Sequence, residues 1–421
     1  MFPYRTLLAV IPLYLLAVSA SPVNPASGDT GKVTLGFVAG LNAIGIPNIA
    51  DADRARIKSM RRKGGHIKRD ASVSVTNFLQ IYTAHVSVGS PPTEYTLLID
   101  AGSSNTWIGA NKPYTPTSTS YYTGNTINAS FGSGSIFGVE YIDTVSLGNG
   151  LTINHQSIGV ATQSQGLNGT GIDGFLGLGP ADLTQGTVSN TNTVPTVVDN
   201  LYSQGTISSA VLGIYFIPAS NSNSGELTFG GYNPSVIAGP INYTPITSTP
   251  PSSLCWGYNQ SITYGGRTIL PNTAGIVDTG TTLILTATDA FQLYQSATGG
   301  IMDNTTGLLR ITPSQYNNLQ TLSFHIGTQT YDLIPNAQIW PRSLNSAIGG
   351  SSNSIYLVVG DIGHPSGSGV DFTKGYVFLR HTRTETGSDQ GLRCIQEQSV
   401  LESFRSARRS VAPMRYQRSS L

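Results

Sequence analysis

Two related β-rich lobes are the fold that this chain predicts, and three observations predict it. Composition comes first: only 11% of the 421 residues are charged, while there are 48 Gly and 23 Pro. That argues against helical bundles, coiled coils and charged disorder. Second, from about residue 73 apolar residues alternate, β-branched residues are enriched and Gly, Asn, Ser and Pro turns recur, the pattern of short strands. Third, TLLIDAGSSNTWIGA at 96–110 is echoed by AGIVDTGTTLILTA at 274–287. Each copy runs an apolar stretch into Asp, a small residue, Gly and two Ser/Thr. The two carboxylates, Asp100 and Asp278, are 178 residues apart (278 − 100), the length of an ordinary lobe.

The elements follow in chain order. Residues 1–20 have the form of an export signal, with Arg5 at the charged start, Leu7 to Leu16 as the apolar centre and Val18-Ser19-Ala20 as the cleavage site. Pro12 interrupts the apolar stretch, which is too short for a membrane anchor, so a secreted, extracellular protein without a membrane partner is expected. Residues 21–69 carry nine Lys and Arg against three Asp, whereas residues 70–379 carry five against fifteen acids. A basic run is often a solvated or nucleic-acid-binding face. Behind an export signal, and ending in Lys68-Arg69, it is expected instead to be a removable basic pro-segment. It would dock on the acidic body near neutral pH and loosen as carboxylates protonate. No nucleic-acid partner is expected.

Residues 70–217 form the expected N-terminal β-lobe. FLQIYTAHVSVG (78–89) and EYTLLID (94–100) are successive strands around Ser90-Pro91-Pro92, and FGSGSIFG (131–138) is a glycine-rich hairpin tip. Residues 218–379 form the second lobe. Short helices are expected at TVVDNLYSQG (196–205) and ATDAFQLYQSA (287–297), the latter capped by Thr288 or Asp289. Each Asp motif is followed by an apolar-x-x-Gly partner, Asp173 to Gly179 after the first and, more weakly, Asp371 to Gly375 after the second. Residues 380–421 are a basic, polar tail with eight Arg and no strand periodicity. A wrong reading frame or splice choice would produce so abrupt a change.

Cys255 and Cys394 define no disulfide framework; pairing and a free thiol both stay open. His85, His155, His325 and His364 show no metal-ligand spacing, and no phosphate loop or Ser/His triad stands out. No metal or cofactor is expected.

A lone Asp-x-Gly-Ser is weak, since Asp and Gly serve many strand-end turns. Two matched copies behind buried strands can bring two carboxylates face to face. Charges that close cannot both ionise, so the pair shares a proton and titrates as a unit. The ionised member then takes a proton from a water held between them while the neutral member hydrogen-bonds a carbonyl, and a peptide bond is hydrolysed without a covalent intermediate. A glycosidase would instead hold its carboxyls roughly 5–9 Å apart and has no support here beyond the acids.

IDAGSSNTWIGA, FGSGSIFGVEYIDTV, IDGFLGLGPADLT, GELTFGG, WGYNQSI, AGIVDTGTTL, TGLLRIT and NAQIWPR together resemble a pepsin-family aspartic protease, and most of all the basidiomycete polyporopepsin group. The resemblance spans about residues 75–379. It implies an all-β, bilobal pepsin-like fold with pseudo-twofold related lobes and a central substrate cleft. It also implies a monomer acting at acid pH on extended peptides or unfolded protein, made as a zymogen with its own pro-segment as intramolecular inhibitor. By position it implies catalytic Asp100 and Asp278, supported by Gly102, Ser103, Thr279, Gly280 and Thr281. The flap that closes over substrate would carry Phe131, Gly132, Ser133 and Gly134, with Trp107 in the cleft behind it.

Three departures accompany the resemblance. Ala101 stands where the family has Thr or Ser, removing one of two hydroxyls that bond across the pair, worth about 1 kcal/mol, or 1–3 where a buried partner is stranded. Phe131 stands where the family has a flap Tyr that reaches the Trp indole, a bond that Phe cannot make. After Leu379 the family's last two strands are not recognisable. Weakened activity is expected, with a weakened or silent peptide-binding protein as the alternative. Asn128, Asn168, Asn242, Asn259 and Asn304 each begin an Asn-x-Ser/Thr sequon, so glycosylation is expected on an exported chain.

Overall fold

The computed structural model describes residues 32–41, 48–62, 80–131, 134–167, 169–216, 224–236, 242–380 and 395–397. The expected signal peptide, Lys68-Arg69, Gly132, Ser133, Asn168, Cys394 and most of the tail lie outside the described residues.

Apolar alternation produces strands almost throughout. The first sheet takes β1 (Val33–Leu41) and, after helix α1 (Ile49–Arg62), β2 (Gln80–Val88), β3 (Thr93–Asp100), β4 (Thr106–Ile108), β5 (Tyr121–Phe131), β6 (Gly134–Gly148), β7 (Leu151–Gln165) and β8 (Gly174–Gly177). Beyond helix α2 (Val197–Ser203) come β9 (Val211–Phe216) and β10 (Ser224–Phe229). Their order is β9-β10-β1-β2-β3-β8-β4-β7-β6-β5, with β2 also pairing β6. β1, from the basic leader, therefore sits inside the sheet, antiparallel to β10 through Val33↔Phe229 and to β2 through Val38↔Thr83.

The second sheet is built from β11 (Gly257–Tyr264), β12 (Arg267–Val277) and β13 (Ile284–Thr286). Helix α3 (Thr288–Thr298) leads to β14 (Ile301–Met302) and β15 (Leu309–Ile311), and α4 (Pro313–Asn317) to β16 (Leu322–Ile326) and β17 (Gln329–Leu333). The chain closes with β18 (Ile355–Tyr356), β19 (Val359–Asp361), β20 (Phe372–Lys374), α5 (Tyr376–Arg380) and β21 (Ile395–Glu397). The order is β17-β16-β11-β12-β20-β13-β19, and β14-β15-β18 form a small third sheet. One large buried cluster, including Leu97, Ile99, Leu176, Ile276, Leu283 and Phe372, runs behind both Asp motifs. This mostly β architecture of curled sheets is the all-β organisation that the sequence resemblance implies.

Three local expectations need comment. α2 forms as expected, capped by Thr196 in a reciprocal box with Asp199. α3 also forms, but its N-cap is Ala287, with no side-chain cap. Thr288 and Asp289 do not cap it because both turn to the neighbouring loop: Thr288 donates to Asp361 and Asp289 accepts from Ser366. In the tail, where no strand was expected, Ile395–Glu397 pairs antiparallel with the edge of β9. An open strand edge offers backbone donors and acceptors to almost any extended segment, whatever its side-chain pattern.

Candidate active site

Both Asp motifs close the same way. β3 becomes fully buried towards its end and runs parallel to β8, pairing Asp100 with Gly177. β12 is buried over its last four residues and runs parallel to β20, pairing Val277 with Lys374. Each chain then loops back against its partner strand. A Cβ on Gly375 would fall 2.5 Å from the carbonyl oxygens of Thr281 and Leu283, and one on Gly177 would overlap the backbone at Ser104 and Asn105. The apolar-x-x-Gly partner of each motif thus has a steric cause: only Gly lets the loop lie flat on the strand.

The bonds at the two carboxylates match pairwise. The Gly102 N–H donates to Asp100 Oδ1 at 2.9 Å and the Ser103 hydroxyl to Oδ2 at 2.5 Å. The Gly280 N–H donates to Asp278 Oδ1 at 3.0 Å and the Thr281 hydroxyl to Oδ2 at 2.6 Å. Both carboxyls are fully buried. Across the pair, Thr279 Oγ1 donates to the Ile99 carbonyl at 3.1 Å and accepts from the Ala101 N–H at 2.9 Å. Ala101 has no hydroxyl to return. Half of the reciprocal grip is therefore made, by Thr279 alone.

A residue that the sequence reading did not single out lies between the carboxylates. Arg56, on α1, donates from Nε to Asp278 Oδ2 at 2.5 Å and from Nη2 to Asp278 Oδ1 at 2.8 Å; Nη2 also bonds Asp100 Oδ1. The guanidinium is almost fully buried. Burial works against its charge, but the two carboxylates outweigh that and hold it firmly cationic. Burial pushes the Asp100 carboxyl up, Asp278 adds to this, and Arg56 only partly offsets both. Burial also acts on Asp278, but the charge and hydrogen bonds of Arg56, with that of Thr281, carry it below the ordinary range. With Arg56 in place the pair is therefore asymmetric: Asp100 is held above the ordinary carboxylate range and Asp278 below it.

α1 is held along one face. Ile49, Ala50, Asp53, Arg56, Ile57 and Met60 are its buried residues, the three-and-four spacing of a helix stripe. Asn48 starts it by accepting the Asp51 N–H at 3.1 Å, and Met60 packs over Gly102 where a Cβ would clash. Asp53 accepts from the Thr282 N–H at 3.1 Å and the Leu283 N–H at 2.8 Å. Desolvation, opposed by those bonds, raises its pKa to about 7. The spacing Ile49, Asp53, Ile57, Met60 was visible in the sequence. Charged members inside the stripe hid it, because an apolar-only template skips Asp and Arg.

The remaining sites fall around this centre. β5 and β6 form a long hairpin whose last pair is Phe131↔Gly134. Phe131 stacks on Trp107 with centroids 5.2 Å apart and packs on Phe175 at 4.4 Å. Ring stacking thus replaces the polar link that a Tyr would have made. Trp256 and Trp340 are buried, Trp256 donating to the Leu178 carbonyl at 2.9 Å. Asn128, Asn242, Asn259 and Asn304 are exposed. Among the described residues no cluster of His, Cys, Asp and Glu could hold a metal ion, and no helix is long and apolar enough to cross a membrane.

A sequence model described as "Eukaryotic aspartyl protease" matches residues 81–382. The chain belongs to the eukaryotic aspartyl proteases. It is 57% identical over 313 residues to polyporopepsin of Irpex lacteus, covering 73% of this chain and 91% of that protein. It is 34% identical over 333 residues to rhizopuspepsin-1 of Rhizopus niveus, covering 74% and 82%. Among solved structures, the crystal structure of aspartic proteinase from Irpex lacteus superposes with a TM-score of 0.68, covering 71% of this chain and 89% of that one. The aspartyl protease carries the pepsin-like fold and is an aspartic-type endopeptidase, a hydrolase. The reading as a silent binding protein is set aside.

Proposed function

We propose that Asp100 and Asp278 are the catalytic pair, and that residues 21–69 hold them inactive until acid releases the leader. The observation that carries this reading is Arg56, which occupies the space between the two carboxylates that a water would need. Once Arg56 leaves, the buried pair shares one proton. The ionised member takes a proton from a water held between them as that water attacks the scissile carbonyl carbon. The protonated member donates to the carbonyl oxygen as charge develops there. Collapse of the tetrahedral intermediate returns a proton to the leaving amine and breaks the C–N bond. Ser103 and Thr281 orient the outer oxygens, Gly102 and Gly280 the inner ones. The β5–β6 hairpin covers an extended peptide in the cleft. Export through residues 1–20, action outside the cell at acid pH and function as a monomer complete the proposal.

Its test is proteolysis of a denatured protein by the acidified full chain, with and without a pepstatin-type inhibitor, beside Asp278→Asn. Inhibitor-sensitive cleavage is expected, lowered by about 10²–10⁴-fold in the variant, the usual worth of a positioned acid or base. Cleavage that survives both inhibitor and variant would refute the assignment of the pair.

A further inference from the structure

Phe137 is nearly half exposed on β6, an unusual place for a Phe on a sheet face. Directly opposite it in the antiparallel ladder stands Asn128, the first residue of the sequon Asn128-Ala129-Ser130. The hairpin's inner face carries Ile127, Phe131 and Ile136, all buried in the cluster around Trp107. Alternation therefore puts Asn128 and Phe137 together on the outer face. Their Cβ atoms should lie about 4.5–5.5 Å apart, as directly paired residues do. On its other side Phe137 pairs with the exposed Gln163, so an apolar ring stands in a polar surround.

Among the sequons the described residues distinguish this one. The Asn259 side chain already accepts the Thr247 hydroxyl at 2.8 Å, Asn304 lies in a turn with no paired strand residue opposite it, and Asn242 lies in an irregular stretch outside any strand. Asn128 is exposed and stands directly across the ladder from Phe137.

We propose that Asn128 is an N-glycosylation site and that its first sugar lies on the Phe137 ring, splinting the outer face of the hairpin that covers the cleft. The inference rests on the export proposed above, since the transfer occurs in the secretory lumen. The co-reactant is a lipid-pyrophosphate-linked oligosaccharide. Asn128 Nδ2 attacks the anomeric carbon and loses one amide proton, the C1–Nδ2 bond forms, the C1–O bond to the pyrophosphate breaks, and lipid pyrophosphate leaves. The apolar face of the sugar then covers Phe137 and hides it from water, as ring platforms do for other amphipathic partners. The hairpin gains a cross-strand contact that its polypeptide lacks, on the face away from substrate.

The test uses the full chain secreted from a yeast host. Peptides released enzymatically from their glycans in ¹⁸O water are mapped by mass spectrometry, and amide exchange across residues 121–148 is followed before and after deglycosylation. Asn128 should carry the label, and deglycosylation should speed exchange in the hairpin by roughly two- to fivefold, the size of one cross-strand side-chain pair. Phe137→Ala should keep the glycan yet exchange like the deglycosylated protein, and Phe137→Trp should restore protection. A bare Asn128 on a chain that has lost residues 1–20 overturns the inference and leaves export standing. No glycan anywhere, with residues 1–20 retained, overturns export and the inference with it. A glycan at Asn128 with exchange indifferent to Phe137→Ala overturns the splint.

Discussion

Thr279 makes both of its cross-pair bonds, to the Ile99 carbonyl and the Ala101 N–H, and the Ala101 side chain makes none in return. Restoring the missing hydroxyl with Ala101→Thr should therefore add about 1 kcal/mol, the net worth of one buried hydrogen bond. This appears as a higher midpoint in denaturant unfolding and a faster turnover at acid pH; an unchanged midpoint and rate would show that the second half of the grip is dispensable. The pairing of Asp100 with Asp278 was legible because the motif repeats, and Ser103 and Thr281 as donors from the family resemblance; that the Gly102 and Gly280 N–H groups also donate came from the structure. Arg56 was not legible, because its partners lie 44 and 222 residues away and no local pattern joins a leader arginine to a distant carboxylate. Phe131 was legible as a loss, the missing phenol. Its compensation by stacking on Trp107 and Phe175 needed the hairpin's register.

Under the proposed function helix α1 would carry a pH response of the leader: its own Asp53, and Asp100 bonded by Arg56, are raised in the docked state, while Asp278 is lowered. Asp53 is buried against Thr282, Leu283, Asp278 and Arg56, with a docked pKa of about 7 against an ordinary 3.8. A raised docked value means that docking takes up a proton. Its contribution is complete below about 3.8 and is lost as pH rises through about 7. Asp278 is lowered by Arg56, so its contribution is present above 3.8 and lost only as pH falls below that. The leader should grip most firmly on the mildly acidic side of neutrality and let go below about pH 4, the ordinary carboxylate range. Asp53→Asn, which stays neutral, should flatten the rise in grip between pH 7 and 4. Leader release followed by size-exclusion at each pH checks this, and a profile matching the parent would remove Asp53 from the switch. Of the strands flanking the site, β2 and β3 were read from the sequence pattern, whereas β8, β12 and β20 were placed only through the echo of the Asp motifs. β1 and α1 were not anticipated: the leader was read from its charge as a pro-segment, although β1 itself carries no charged residue, and in α1 the buried Asp53 and Arg56 broke the apolar stripe.

At the scale of the whole molecule, leader and body are one folded unit: β1 fills a place between β10 and β2, and α1 lies on the carboxylate pair. The charge contrast between basic leader and acidic body foretold that they would meet. Where they meet is set by the contacts of one helix face: Met60 packs over Gly102, Asp53 accepts from the Thr282 N–H, and Arg56 bonds the carboxylates. Breaking a buried ion pair from one side costs about 3–5 kcal/mol, so Arg56→Gln should loosen the leader more than any change on its exposed face. The most direct test is cleavage of a quenched fluorescent peptide by intact chain and by Arg56→Gln, from pH 7 down to pH 2, with leader integrity followed on gels. The intact chain should stay silent until about pH 4, while Arg56→Gln should cleave at pH 5 with its leader still attached. Coincident profiles for the two proteins would contradict the account.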